Sequence, residues 1–234
     1  NGYSSGPVCT PTRASLMTGQ TPARHQTTFW TLYHDQDTSG KHPRLRPPAW
    51  NLKGVQPASV LLTERLRNAG YRTIHIGKAH FGAHGTPGGD PTKLGFDVNI
   101  AGHGSGAPSS YLGTHNFSHA GRSQTPGKKS IWDVPGLESY HGRDIYLTEA
   151  LTEQACKEID RAAHDNVPFF MNFAPYAVHT PVMANTRLLE HYQDLAPKEA
   201  HYATMVESVD QAVGELCARI DKHGLRDNTI VIFT

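Results

Sequence analysis

An amphipathic segment followed by an extended apolar one occurs three times in this chain, and that order restricts its fold more than any other feature. Residues 58–69 read as a helix with Val60, Leu61, Leu62 and Leu66 on its apolar side. Gly70 closes it, and Tyr71 to Gly77 then alternate as a strand. Tyr146 to Ala163 places Leu147, Leu151, Ala155 and Ile159 on one helical face. Pro168 to Ala174 follows as a continuous apolar strand, the pattern of one buried on both sides. Glu199 to His223, with Met205, Val209, Val213, Leu216 and Ile220 toward a core, stops at Gly224-Leu225, and Thr229 to Thr234 read as a last strand. Helix followed by strand is the α-to-β half of a doubly wound unit, so the fold class is α/β with a mostly parallel sheet between helices. No repeat or linker divides the 234 residues, which suffice for one domain with a sizeable core.

Composition removes several function classes. No apolar run approaches the length of a membrane span. The 22 basic and 21 acidic residues nearly balance, with no long Lys/Arg run to follow a nucleic-acid backbone. Glycine (22) and proline (16) are plentiful, so loops are long. Residues 20–56 read as loop, with Arg24-His25 and the Lys41 to Arg46 group available to face an anion. Residues 82–145 read as a functional excursion or lid. Three cysteines make no disulfide framework; Cys156 and Cys217 read as buried thiols in helices, and a bridge between them stays open.

The chemistry concentrates in three short stretches. In the first, Cys9-Thr10-Pro11-Thr12-Arg13-Ala14-Ser15-Leu16-Met17-Thr18-Gly19, Pro11 suits the first residue of a helix, Thr10 its cap and Gly19 its stop. Free N–H groups and the dipole at that helix start favour an anion and depress a thiol pKa, and Arg13 shares a face with Cys9. In the second, Gly77-Lys78-Ala79-His80-Phe81-Gly82, Lys78 and His80 leave the C-terminal end of a strand on the same side. In the third, Val178-His179-Thr180-Pro181, His179 also follows an apolar strand.

Cys-x-Pro-x-Arg with Leu-x-Thr-Gly resembles the signature of the type I sulfatases, members of the alkaline-phosphatase-like superfamily. Gly70-Tyr71-x-Thr73-x-x-x-Gly77-Lys78-x-His80 resembles their second signature, with Ala79 where Trp is frequent. The His-x-Pro at His179 resembles their third. Gly95-Phe96-Asp97-x-Asn99-Ile100 and Gly106-x-Pro108-x-Ser110-Tyr111 are similar to bacterial carbohydrate sulfatases. The resemblance implies that Cys9 is oxidised to formylglycine by a maturation enzyme and attacks a sulfate ester. It implies that Arg13 and Lys78 stabilise charge on oxygen, that His179 protonates the leaving alcohol, and that His80 is the base of the second step. Lys78 and His179 would also bind sulfate, with Ser105 or Ser110 as a further candidate. His103, His115, His119 and His141 could meet sugar hydroxyls, a sulfated carbohydrate being the expected substrate.

The family's calcium ion takes oxygen ligands that normally lie before the first motif and after the last strand. None is expected within residues 1–234, except through a modified Cys9. By resemblance the chain is the N-terminal catalytic core of one sulfatase domain, without the first strand and the C-terminal portion, from a periplasmic or secreted protein. Residues 1–234 alone are expected to hydrolyse nothing. Three alternatives remain from the residues: a phosphonate or phosphodiester hydrolase of the same superfamily, a thiol hydrolase using Cys9 with His80 or His179, and a non-catalytic binder of sulfated glycans.

Overall fold

The computed structural model describes residues 3–40, 43–45, 47–57, 60–125 and 127–234. In chain order its helices and strands are α1 (Cys9–Thr18), α2 (Pro22–His25), α3 (Leu62–Asn68), β1 (Arg72–Gly77), β2 (Val98–Ile100), α4 (His119–Ser123), α5 (Leu147–Asp165), β3 (Phe169–Ala174) and α6 (Pro197–Lys222), with short 3-10 turns between them. The three strands form one parallel sheet in the order β2-β1-β3. His75 at its centre stands opposite Asn99 on one side and Asn172 on the other.

The alternation of β1 divides the core in two. Ile74 and Ile76 pack with Leu147, Leu151 and Ala155 of α5 and Met205 of α6. The neighbouring His75 turns the other way, against the rings of Phe81 and Phe96 at 5.4 and 5.3 Å. Those rings belong to a cluster with Ala14 and Met17 of α1 and Leu61. Helices thus cover both faces of the sheet, as the helix-then-strand pattern requires. At the end of β1, Gly77 has φ +98°, and a Cβ there would lie 2.1 Å from the Ala174 carbonyl oxygen. Only glycine allows β1 and β3 to approach so closely as the chain turns into Lys78.

Several expectations need correction. Helix α1 begins at Cys9, with Val8 as its N-cap, and Thr10 makes no cap bond. The Thr10 hydroxyl is drawn inward instead, accepting the Thr31 N–H at 3.1 Å and lying 3.2 Å from His80 Nε2. Gly19 does close the helix, in the left-handed conformation, with its N–H on the Ser15 carbonyl. Helix α3 starts at Leu62; Ala58 and Ser59, in the expected first turn, lie outside the described residues. Its later start rotates the buried side: Leu61 and Thr63 are buried, whereas Val60 and Leu62 are exposed.

Strand β3 is only half-buried from Phe169 to Phe173, because β1 is its single partner in the sheet among the described residues. Thr229 to Thr234 form no strand. They join no ladder, and Ile230 to Phe233 stay exposed, since β-propensity needs a neighbouring strand to become structure. The 82–145 stretch is no lid over the core. It contributes β2 to the sheet and buries Tyr111, Phe117 and Tyr140 within the α5 cluster. All three cysteines are free thiols.

Candidate active site

Three connections bring the sequence motifs together. The first residue of α1 is Cys9, and Arg13 follows one turn later. The ends of β1 and β3 deliver Lys78 and His80, and His179. Lys78 Nζ donates to Cys9 Sγ at 3.0 Å. Arg13 Nη1 donates to the Lys78 carbonyl at 2.6 Å, so α1 is tied to the end of the central strand by the residue that also brings its charge there. His179 and His80 both come close enough to Cys9 to act on its thiol. Cys9 is half-buried, Lys78 and His80 are buried at 4% and 3% exposure, and His179 is exposed. Solvent therefore reaches the cluster from the His179 side, while cations and imidazole close it from beneath.

The electrostatics follow from this packing. The Cys9 thiol is lowered to about 4, first by its hydrogen bond with His179 and then by those with His80 and Lys78 and by the Lys78 charge; burial opposes them. Burial lowers Lys78, and the neighbouring Arg13 lowers it further. Burial likewise lowers Arg13 and His80. A negative group at position 9 is thus held by preorganised donors with little water, the arrangement that best stabilises charge developing on oxygen.

Hydrogen bonds fix both histidine rings. His80 Nε2 lies 2.7 Å from the Thr31 carbonyl oxygen, which can only accept, so Nε2 carries the proton. The lone pair of the neutral ring then sits on Nδ1, a buried nitrogen without a partner. Gly106 lies directly against it: a Cβ there would stand 2.4 Å from Nδ1. The Nε2 proton is thus taken up by Thr31, and the ring is fixed with its basic nitrogen toward Gly106. His179 Nδ1 lies 3.0 Å from the Thr180 carbonyl, which leaves Nε2 for position 9.

The remaining candidates fall elsewhere. Ser105 is fully buried; its hydroxyl donates to the Ile131 carbonyl and receives His84 Nε2–H at 2.7 Å, so it holds a loop together and has no hydrogen left for sulfate. His103 packs beside His84 and Tyr176, and burial lowers it to about 4. His115 Nδ1 is bonded to Ser110 Oγ at 2.9 Å. His25 is bonded to Ser15 Oγ at 2.9 Å and Arg24 is exposed; Lys41, His42 and Arg46 lie outside the described residues. Sequence reading missed Thr10 and Thr31, which hold His80, and gave Tyr111 no part in the site, although its hydroxyl donates to the His179 carbonyl at 2.8 Å. No spacing rule marks such long-range partners. Among the described residues, no group of three or more His, Cys, Asp or Glu is arranged to hold a metal ion. Among the same residues, no helix is long and apolar enough to cross a membrane.

A family model described as Sulfatase matches residues 1–234. The chain belongs to the sulfatase family. It is 29% identical to human (Homo sapiens) N-acetylgalactosamine-6-sulfatase, covering 100% of this chain and 41% of that protein, and 27% identical to mouse (Mus musculus) arylsulfatase J, covering 99% and 35%. It thus spans about two-fifths of the length of the curated relatives it matches. Among solved structures, that of Ps i-CgsB is similar at a TM-score of 0.73 and 28% identity, over 97% of this chain and 47% of that one. Ps i-CgsB has also been solved in complex with k-i-k-neocarrahexaose. The parallel sheet between helices is therefore the core of the alkaline-phosphatase-like sulfatase fold, as the sequence motifs implied.

Proposed function

We propose that the protein hydrolyses a sulfate ester on a glycan, with residues 1–234 forming the catalytic core of its sulfatase domain. The observation that carries this reading is the approach of Lys78 Nζ to Cys9 Sγ at 3.0 Å, at the start of a helix, with His80 and His179 near enough to lower the same thiol. Oxidised to formylglycine, position 9 supplies a hydrated aldehyde whose hydroxyl is the nucleophile. Lys78 and Arg13 hold the charge that gathers on the sulfate oxygens. His80, its Nε2 held by Thr31, lines the buried side of position 9 and is the base proposed for the second step. His179, exposed at the mouth of the site and with Nδ1–H on Thr180, gives the departing alcohol a proton from Nε2 when the ring is the imidazolium. Sulfated galactose or N-acetylgalactosamine units are the proposed substrates, supported by the names of the relatives and by the carrageenan oligosaccharide bound to a neighbour. By this proposal most of the family's calcium ligands come from outside residues 1–234.

The test is turnover by the full-length protein co-expressed with a formylglycine-generating enzyme. Sulfate release from a sulfated carrageenan oligosaccharide or from 6-sulfated N-acetylgalactosamine, lost in Cys9→Ala, is expected. Faster cleavage of an aryl phosphonate than of an aryl sulfate would move the reading to a phosphonate hydrolase, and glycan binding without turnover to a non-catalytic binder.

A further inference from the structure

The segment that carries His179 is held from beneath by tyrosine hydroxyls. Tyr111 is fully buried, and its Oη donates to the His179 carbonyl oxygen at 2.8 Å. The Tyr111 ring stacks on Tyr146 at 5.4 Å between centroids and 15° between planes. Tyr146 Oη in turn donates to the Met183 carbonyl at 2.8 Å, four residues beyond His179. The Tyr111 backbone is equally fixed: its carbonyl accepts the Leu147 N–H at 2.7 Å, and an antiparallel bridge joins Leu112 to Tyr146. Tyr146 is the N-cap of α5, and its N–H donates to Glu149 Oε2 at 3.0 Å. A rigid path therefore runs from the start of the long core helix, through two stacked rings, to the peptide of one exposed histidine.

We propose that Tyr111 is a positioning residue for His179: its hydroxyl sets the height and orientation at which the imidazole meets position 9. The proposal rests on the reading of His179 as the proton donor to the leaving alcohol. An exposed histidine has little packing of its own to hold it, and beyond its approach to Cys9 the His179 side chain is bonded within its own turn, to Thr180. Proton transfer depends steeply on distance and alignment, so an anchor on the adjacent peptide governs it without touching substrate. Tyr111 suits the task because burial and the neighbouring Tyr146 raise its pKa, which keeps the hydroxyl a neutral donor at any working pH.

The experiment compares Tyr111→Phe, Tyr146→Phe and His179→Ala in the full-length protein. Each is assayed on a sulfated carrageenan oligosaccharide, whose alkoxide leaving group needs a proton, and on 4-nitrophenyl sulfate, whose phenolate does not. Positioning predicts that Tyr111→Phe lowers kcat/KM on the oligosaccharide by ~10-fold or more and on the aryl ester by less than ~3-fold. Tyr146→Phe removes an equally buried hydroxyl from the same stack, and is expected to affect the two substrates alike. A second arm needs no turnover. In protein left with the Cys9 thiol, the pH midpoint of iodoacetamide alkylation reports how closely His179 approaches Cys9, and Tyr111→Phe is expected to move it upward while Tyr146→Phe leaves it in place. Equal losses on both substrates with an unmoved midpoint would overturn the role of Tyr111. If His179→Ala itself shows no preference between substrates, the proton-donor reading fails, and an upward midpoint in Tyr111→Phe still establishes that Tyr111 places His179. If neither ester is turned over, the alkylation arm decides alone.

Discussion

Lys78 Nζ stands 3.0 Å from Cys9 Sγ although the two residues are 69 positions apart. One comes from the end of the central strand and the other from the start of a helix, and Arg13 locks the two elements by bonding the Lys78 carbonyl. Removing the ammonium takes away a buried donor aimed at the reacting atom. Lys78→Ala is expected to lower kcat on any sulfate ester by ~100-fold or more with the fold retained. The measurement is steady-state kinetics beside a thermal melt; a loss under threefold would show that the ammonium contributes no transition-state charge.

The thiol form of Cys9 has its own signature. Its pKa is lowered to about 4, so the thiolate persists throughout the neutral range and disappears only as pH falls toward that value. Alkylation by iodoacetamide is expected to be half-maximal near pH 4, whereas an ordinary cysteine titrates at ~8.5. Lys78→Ala should move the midpoint upward. Once position 9 is the aldehyde, alkylation of that peptide stops and a hydrazide probe labels it instead.

Two glycines should respond oppositely to alanine. At Gly77 the new methyl would meet the Ala174 carbonyl at 2.1 Å on a backbone of φ +98°, and Gly77→Ala is expected to destabilise the protein by at least ~2 kcal/mol. Gly214 lies within α6 with nothing inside 4 Å of its would-be Cβ, and Gly214→Ala should stabilise by up to ~1 kcal/mol. Urea midpoints of the two variants check both signs.

His75 ties stability to pH. It is completely buried, its Nε2 donates to the Gly77 carbonyl at 3.0 Å, and its Nδ1 accepts from Asn172 Nδ2 at 3.1 Å. Burial, with Arg13 adding to it, lowers its pKa to about 3, below the ~6.5 of the unfolded chain. The unfolded state therefore binds the extra proton first. Stability from this residue is complete above pH 6.5 and falls by about 1.4 kcal/mol for each pH unit below it, until pH reaches about 3. His75→Gln should shrink the drop in urea midpoint between pH 7 and pH 5. An identical drop in both proteins would remove His75 from the explanation.

The motifs were legible because each is local. Cys9 and Arg13 share a helix face, and Lys78, His80 and His179 each follow a strand that the hydrophobic pattern already marks. Parallel strands deliver such ends to one edge of a sheet. What held those residues in place was not legible. Thr10 reads as a helix cap, and its hydroxyl left that duty for His80 and Thr31, a choice made by tertiary neighbours 70 and 21 positions away. Ser105 reads as free because a serine in a glycine-rich loop has no visible partner, yet Ile131 and His84 take up its hydroxyl. The 82–145 stretch lacks periodicity, and its aromatic side chains reached the core without it. Thr229 to Thr234 show the converse: a strong strand composition stays unpaired where no ladder receives it.

The contact between Gly106 and His80 limits how this protein itself can be varied. The loop around position 106 borders the reacting groups, and it is an obvious place for selection or an engineer to reshape what the site accepts. Yet even a methyl group at 106 would fall 2.4 Å from a buried ring that Thr31 prevents from turning away. Position 106 is therefore frozen while its half-buried neighbour Ala107 remains open to change. A library that randomises the whole loop would lose most of its members to one clash, and one that spares Gly106 would keep the imidazole in place while the rim around it varies.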